Sequence, residues 1–80
     1  LVQLSDVSDI PDKQQLIDIA RHQRLLPGDG VFPLQQLLAC LREKQYQGPL
    51  GLEVFNDELK KQRPADVARQ AMAALRRMIV

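Results

Sequence analysis

Leu1-Val-Gln-Leu-Ser-Asp6 and Pro49-Leu-Gly-Leu-Glu-Val-Phe55 are the two stretches of this sequence that read as β-strands. Successive side chains of a strand point to opposite faces of a sheet. In each stretch the apolar residues at alternate positions share one face, and Gln3 or Glu53 points to the other. If the apolar faces pack on helices, Gln3 and Glu53 lie together on the opposite side. An amide oxygen and a carboxylate placed there form a candidate metal or substrate site.

The composition is that of one small globular domain. The 80 residues are 45% hydrophobic and 26% charged, as in ordinary globular proteins. A net charge of +1 gives no reason to expect nucleic-acid or membrane-surface binding. No apolar run approaches the roughly 20 residues of a membrane span. We therefore expect neither of these partners, and a cytoplasmic location is the default expectation.

Cys40 is the single cysteine, so the chain has no internal disulfide. It follows leucines of a helical apolar pattern, which predicts a buried structural thiol.

Helical patterns fill the remainder of the chain. We predict helices over residues 12–23, 33–45 and 64–80, with a short helical turn between Asn56 and Lys61. The second helix has apolar residues at i, i+3, i+4 and i+7, which are Leu34, Leu37, Leu38 and Leu41. Between the first two helices, Pro27-Gly-Asp-Gly30 predicts a tight ordered loop.

The order of these elements predicts an α/β fold. Strands that alternate with helices and are joined by long crossovers pair in parallel. Two strands are too few for a parallel sheet, whose faces both need cover. We therefore expect the sheet to be completed by residues outside this chain. Long ordered loops at the carboxyl ends of strands are where α/β enzymes keep their sites.

Three motifs in this order resemble the end of the xylose-isomerase-like TIM barrels, the sugar phosphate isomerase/epimerase superfamily. They are Val2-Gln-Leu-Ser-Asp6, Arg24-Leu-Leu-Pro-Gly-Asp-Gly30 and Tyr46-Gln-Gly-Pro-Leu-Gly-Leu-Glu-Val-Phe55. The resemblance covers nearly the whole chain. It implies that residues 1–80 are the C-terminal β-α-β-α quarter of a (β/α)8 TIM barrel, with strand 7, helix 7, strand 8 and helix 8 of a single domain.

One departure from the superfamily pattern points to a particular group of enzymes within it. Most of the superfamily has a His where this chain has Gln3. Gln at this position, with residues 21–24 and 53–57, is similar to bacterial 3-dehydroshikimate dehydratases, some of which are fused to a hydroxyphenylpyruvate-dioxygenase-like domain. That family binds one divalent cation through Glu, Asp, Gln or His, and Glu. Gln3 and Glu53 match the last two ligands, and the resemblance places the other two and the general base before Leu1.

The chemistry of the donors agrees with this ligand set. Neighbouring strands lie about 4.8 Å apart, so Gln3 and Glu53 on adjacent strands can share one ion. Oxygen ligands suit Mg²⁺, Mn²⁺ or Co²⁺. The alternative for Glu53 is a structural ion pair with a Lys or Arg, and the alternative for Gln3 is a hydrogen-bonded strand amide.

Two further residues are candidates for substrate binding. Arg24 is expected to pair with a substrate carboxylate through its planar fork, the alternative being a surface Arg or a partner for Asp29. His22 is the second candidate, the alternative being an exposed loop His. Asp6 and Asp9 are interpreted as caps of the following helix, the alternative being side chains that support the site residues from behind.

The resemblance implies a metal-dependent lyase that dehydrates 3-dehydroshikimate to protocatechuate. One alternative is a metal-dependent sugar isomerase or epimerase of the same superfamily. A third hypothesis is that the piece alone has no activity and self-associates as a homo-oligomer through unpaired strand edges.

Overall fold

The computed structural model describes residues 1–79, and they form an α/β fold. The predicted order of elements is confirmed. The elements are β1 (Val2–Leu4), α1 (Leu16–His22), α2 (Leu34–Glu43), β2 (Leu50–Leu52), α3 (Asp57–Lys60) and α4 (Pro64–Ile79). The predicted continuation of the last helix to residue 80 lies outside the described residues.

The two strands pair in parallel, as predicted. Gln3 lies opposite Gly51, and Leu4 lies opposite Leu52. Each strand is shorter than its predicted stretch, since β1 ends at Leu4 and β2 ends at Leu52. After β1, Asp6 forms an isolated antiparallel bridge with Leu25 instead of extending the parallel ladder.

Helices α2 and α4 cover one face of the sheet. Leu4 is 2% exposed at the centre of this contact. The core cluster consists of Leu4, Leu34, Leu38, Leu75 and Met78, with Val2, Leu41, Leu50 and Leu52 at its margin. Each fully buried side chain of this kind contributes about 1.5–3 kcal/mol. This packing fixes the strand faces and turns Gln3 to the side away from the helices.

The predicted stripe of α2 is confirmed at Leu34, Leu38 and the partly buried Leu41, and it is wrong at Leu37. Leu34 and Leu38 are buried, but Leu37 is 40% exposed. The prediction of a buried thiol at Cys40 is also wrong, because Cys40 is exposed. It lies two residues after Leu38, and two residues rotate a helix by about 200°, away from the core.

Local hydrogen bonds explain where the helices begin and end. Asp12 closes a turn by accepting the Gln15 N–H at 2.9 Å on its side chain, so α1 begins later than predicted. At the end of α2, Gln45 adopts a positive φ of 58°. The N–H groups of Gln45 and Tyr46 donate to the carbonyls of Arg42 and Leu41, both at 3.0 Å. This is the Schellman arrangement that ends many helices.

None of the helices in residues 1–79 is both long enough and apolar enough to cross a bilayer.

Candidate functional site

The face of the sheet away from the helices carries the two candidate metal ligands. Gln3 pairs with Gly51, and a Cβ atom added to Gly51 would lie 3.8 Å from Cγ of Gln3. The Gln3 side chain therefore lies against the bare backbone of Gly51. Glu53 follows β2, and continued alternation beyond Leu52 predicts that it shares the face of Gly51. Because Gly51 has no side chain, it leaves the space beside Gln3 open on this face.

Glu53 is half-buried at the carboxyl end of β2. None of the ion pairs formed within residues 1–79 involves it. In this part of the chain the carboxylate is therefore not the structural ion pair that the alternative interpretation requires. Residues 1–79 also bring no three His, Cys, Asp or Glu side chains together around a metal-sized space. A metal site built on Gln3 and Glu53 would therefore need further ligands, and the assignment of these two residues as ligands stays a prediction.

Arg24 is fixed beside Glu53 by contacts with main-chain atoms. Its Nε donates to the carbonyl of Ala20 at 2.7 Å, and its Nη1 donates to the carbonyl of Glu53 at 3.2 Å. The guanidinium carbon lies 5.1 Å from the ring centroid of Phe55, within cation–π range. A guanidinium has five N–H groups, so these contacts hold the group while leaving further donors for a ligand.

The main chain of Arg24 is tied to the segment after β2. Its N–H donates to the carbonyl of Phe55 at 2.9 Å, and its carbonyl accepts from Nδ2 of Asn56 at 2.9 Å. Oδ1 of Asn56 also caps α3 by accepting from the N–H groups of Glu58 and Leu59. The sequence predicted the cap on α3 but gave no sign of the bond to Arg24.

His22 lies at the rim of this region. Its Nδ1 is 3.1 Å from Oδ1 of Asp57, and the two side chains are 46% and 57% exposed. An exposed pair of this kind contributes about 0–1 kcal/mol. The substrate contacts expected of His22 and Arg24 stay predictions.

Asp6 is not the helix cap that the sequence suggested. It is fully buried, and its carboxylate accepts four backbone N–H groups. Three of the donors, Gly28, Gly30 and Phe32, belong to the predicted Pro-Gly-Asp-Gly loop and the residues after it. Asp9 does not cap a helix either, since within residues 1–79 its Oδ1 accepts only from the N–H of the next residue at 2.9 Å.

The loop around Asp6 admits only glycine at position 30. A Cβ atom there would lie 2.0 Å from the carbonyl oxygen of Val7 and 2.6 Å from Oδ1 of Asp6. Such distances are far inside van der Waals contact. The glycine-rich sequence predicted a tight turn. The backbone N–H groups of such a turn need hydrogen-bond acceptors, and a buried carboxylate supplies them here.

Comparison with known proteins gives one family and two relatives. The model of the family described as xylose isomerase-like TIM barrel matches residues 1–78. A 3-dehydroshikimate dehydratase of Pseudomonas aeruginosa is 39% identical over 64 residues, which are 80% of this chain and 10% of the relative. A 3-dehydroshikimate dehydratase of Pseudomonas putida is 32% identical over 78 residues, which are 98% of this chain and 12% of the relative.

The chain spans about a tenth of the length of these curated relatives. No solved structure gives a significant match to it.

Proposed function

Because this chain belongs to the xylose isomerase-like TIM barrel family, we propose that it forms the C-terminal β-α-β-α quarter of such a barrel in a longer enzyme. In this proposal β1 and β2 are strands 7 and 8, and α2 and α4 are helices 7 and 8. The parallel pair with both helices on one face supports this assignment, since the outer helices of a (β/α)8 barrel leave the other strand face to the interior. Gln3 and Glu53 then belong to the carboxyl end of the barrel, where such enzymes hold their active sites.

The proposed activity of the longer enzyme is the dehydration of 3-dehydroshikimate to protocatechuate. Both relatives carry the name of that dehydratase. The observation that carries the proposal is the parallel pairing of β1 and β2, which sets Gln3 opposite Gly51, two residues before Glu53.

The two donors fit a hard divalent cation. Gln3 offers an amide oxygen and Glu53 a carboxylate, and oxygen donors favour Mg²⁺, Mn²⁺ or Co²⁺. Glu53 is half-buried and takes part in none of the ion pairs within residues 1–79, so its charge is open to a cation there. When bound, such an ion polarises the carbonyl group of the substrate.

The reaction needs a proton acceptor and a means of orienting the substrate. A proton leaves the ring carbon beside the carbonyl, the hydroxyl group on the following carbon leaves as water, and the ring tautomerises to the aromatic product. We assign the proton acceptor to residues before Leu1, in line with the family resemblance. Arg24 binds the substrate carboxylate through the N–H groups that its contacts with Ala20 and Glu53 leave free. His22, paired with Asp57, is the second proposed substrate contact.

The test is turnover by the intact protein that contains this chain. We expect Mn²⁺-loaded protein to convert 3-dehydroshikimate to protocatechuate, followed by the ultraviolet absorbance of the product. The protein after chelator treatment is the control and is expected to regain activity with added Mn²⁺. No product from 3-dehydroshikimate would refute the dehydratase. Turnover of a ketose in its place would establish the isomerase or epimerase alternative of the same superfamily.

A further inference from the structure

Asp6 is the most completely buried charged side chain in the described chain, and the proposed reaction does not use it. Oδ1 accepts the N–H groups of Val7 and Phe32, both at 2.9 Å. Oδ2 accepts those of Gly28 at 3.1 Å and Gly30 at 3.0 Å. A carboxylate offers about four lone-pair sites, and backbone amides occupy all of them. Asp6 therefore has no lone pair left for a metal ion, although it lies close to Gln3 in sequence.

The main chain of Asp6 also binds the start of the same loop. Its N–H donates to the carbonyl of Leu25 at 2.8 Å, and its carbonyl accepts the N–H of Leu25 at 2.7 Å. Leu25 is the neighbour of Arg24. One residue thus fixes both the start of the loop, beside Arg24, and its end at Phe32.

The side-chain contacts of Arg24 need a fixed backbone, which Asp6 supports through Leu25 in addition to the direct bonds from Arg24 to Phe55 and Asn56. Its guanidinium reaches back one helical turn to Ala20 and across to the carbonyl of Glu53. Both acceptors are main-chain atoms of other elements. A displacement of residues 24 and 25 therefore moves the guanidinium away from the candidate metal ligands on the sheet.

We propose that Asp6 is a positioning residue, which holds Arg24 where it meets the substrate carboxylate by anchoring Leu25 and the loop from Gly28 to Phe32. This inference rests on the proposed function, since it takes Arg24 as the carboxylate-binding group. Asp6 does not touch the substrate itself.

The experiment uses the intact protein and the variants Asp6→Asn, Arg24→Met and the double variant. The Asn side chain keeps one oxygen and turns an NH₂ group toward two N–H donors, so it breaks two of the four bonds. We expect Asp6→Asn to raise KM for 3-dehydroshikimate about tenfold and to change kcat less than about threefold, since a loss of uniform binding appears in KM. The matched control is Asp9→Asn, the same change at an exposed position three residues away, which is expected to leave KM unchanged.

The double variant separates positioning from a general structural role. If Asp6 acts through Arg24, the Asp6→Asn change has less than about a twofold effect on kcat/KM once Arg24 is Met, because residues that act together are not additive. The Mn²⁺ affinity also stays at the value of the unchanged protein. Equal losses in both backgrounds, or a loss of Mn²⁺ affinity, would overturn the proposal.

Two further measurements cover the remaining outcomes. If Asp6→Asn does not fold, Gly28→Ala replaces it: Gly28 has a φ of +92°, so Ala strains the same loop while the added Cβ meets only Sδ of Met78 at 3.7 Å. We expect a smaller rise in KM with the same dependence on Arg24, and an unchanged KM would count against the proposal. If the unchanged protein makes no protocatechuate, the proposed function fails, and hydrogen exchange decides on Asp6. The Leu25 amide should then exchange faster in the variant, and exchange at the original rate would overturn the positioning role.

Discussion

Asn56 connects Arg24 to α3, and its replacement is expected to lower the free energy of unfolding by an amount that follows from its hydrogen bonds. The side chain has two separate roles. Oδ1 accepts from Glu58 and Leu59 at 2.8 and 3.0 Å, and Nδ2 donates to the carbonyl of Arg24 at 2.9 Å. Loss of an N-cap costs about 1 kcal/mol, and loss of one such hydrogen bond costs about 1 kcal/mol more. Asn56→Ala should therefore lower the free energy of unfolding by about 2 kcal/mol.

Asn56→Asp divides this total into its two parts. The carboxylate still caps α3 and only the donor to Arg24 is lost, so we expect a cost of about 1 kcal/mol. The assay is urea unfolding of the intact protein, followed by circular dichroism, with Gln47→Ala at an exposed position as the control. Equal stabilities for the Ala and Asp variants would refute the reasoning, because they would mean that the cap on α3 contributes nothing. An Asp variant as stable as the unchanged protein would likewise mean that the bond to Arg24 contributes nothing.

Three more predictions follow from local geometry. Gln45→Gly should raise the free energy of unfolding by about 1 kcal/mol, because the φ of 58° suits glycine. Urea unfolding should show a higher midpoint, and a lower midpoint would contradict this. Gly30→Ala should cost several kcal/mol or prevent folding, since its Cβ would lie 2.0 Å from the carbonyl of Val7; a soluble variant with unchanged stability would show that the loop is not closed in this way. Residues 1–80 produced alone should elute as oligomers in size-exclusion chromatography, because the two-stranded sheet pairs each strand on one edge only within the described residues, and a monomer would contradict that expectation.

The order of elements was readable from the sequence because its signals are local. The alternation of apolar residues in 1–6 and 49–55 and the leucine spacing of α2 each lie within one element. The prediction that Gln3 and Glu53 share one face rests on the same alternation. Cys40 was misjudged because its leucine neighbours in sequence lie on another face of the helix.

The parts that the sequence did not predict depend on bonds to main-chain atoms far along the chain. Asp6 bonds to N–H groups 22 to 26 residues away, and any residue type but proline supplies such a donor. Arg24 likewise bonds to the carbonyls of Ala20 and Glu53. Every residue type has such a carbonyl, so these bonds do not require a particular residue at either position. Side chains that bind backbone therefore organise this site without a pattern that could have revealed them.

The proposal that this chain supplies two ligands of a metal ion is tested most directly by Mn²⁺ binding to the intact protein. Glu53→Gln removes the carboxylate, and Glu58→Gln makes the same change at an exposed position on α3. Because ligand charge sets affinity for hard cations, we expect calorimetric titration to show about a 100-fold weaker Mn²⁺ affinity for Glu53→Gln and an unchanged affinity for Glu58→Gln. Mn²⁺ affinity that is the same in the unchanged protein and in both variants would contradict the assignment of Glu53 as a ligand.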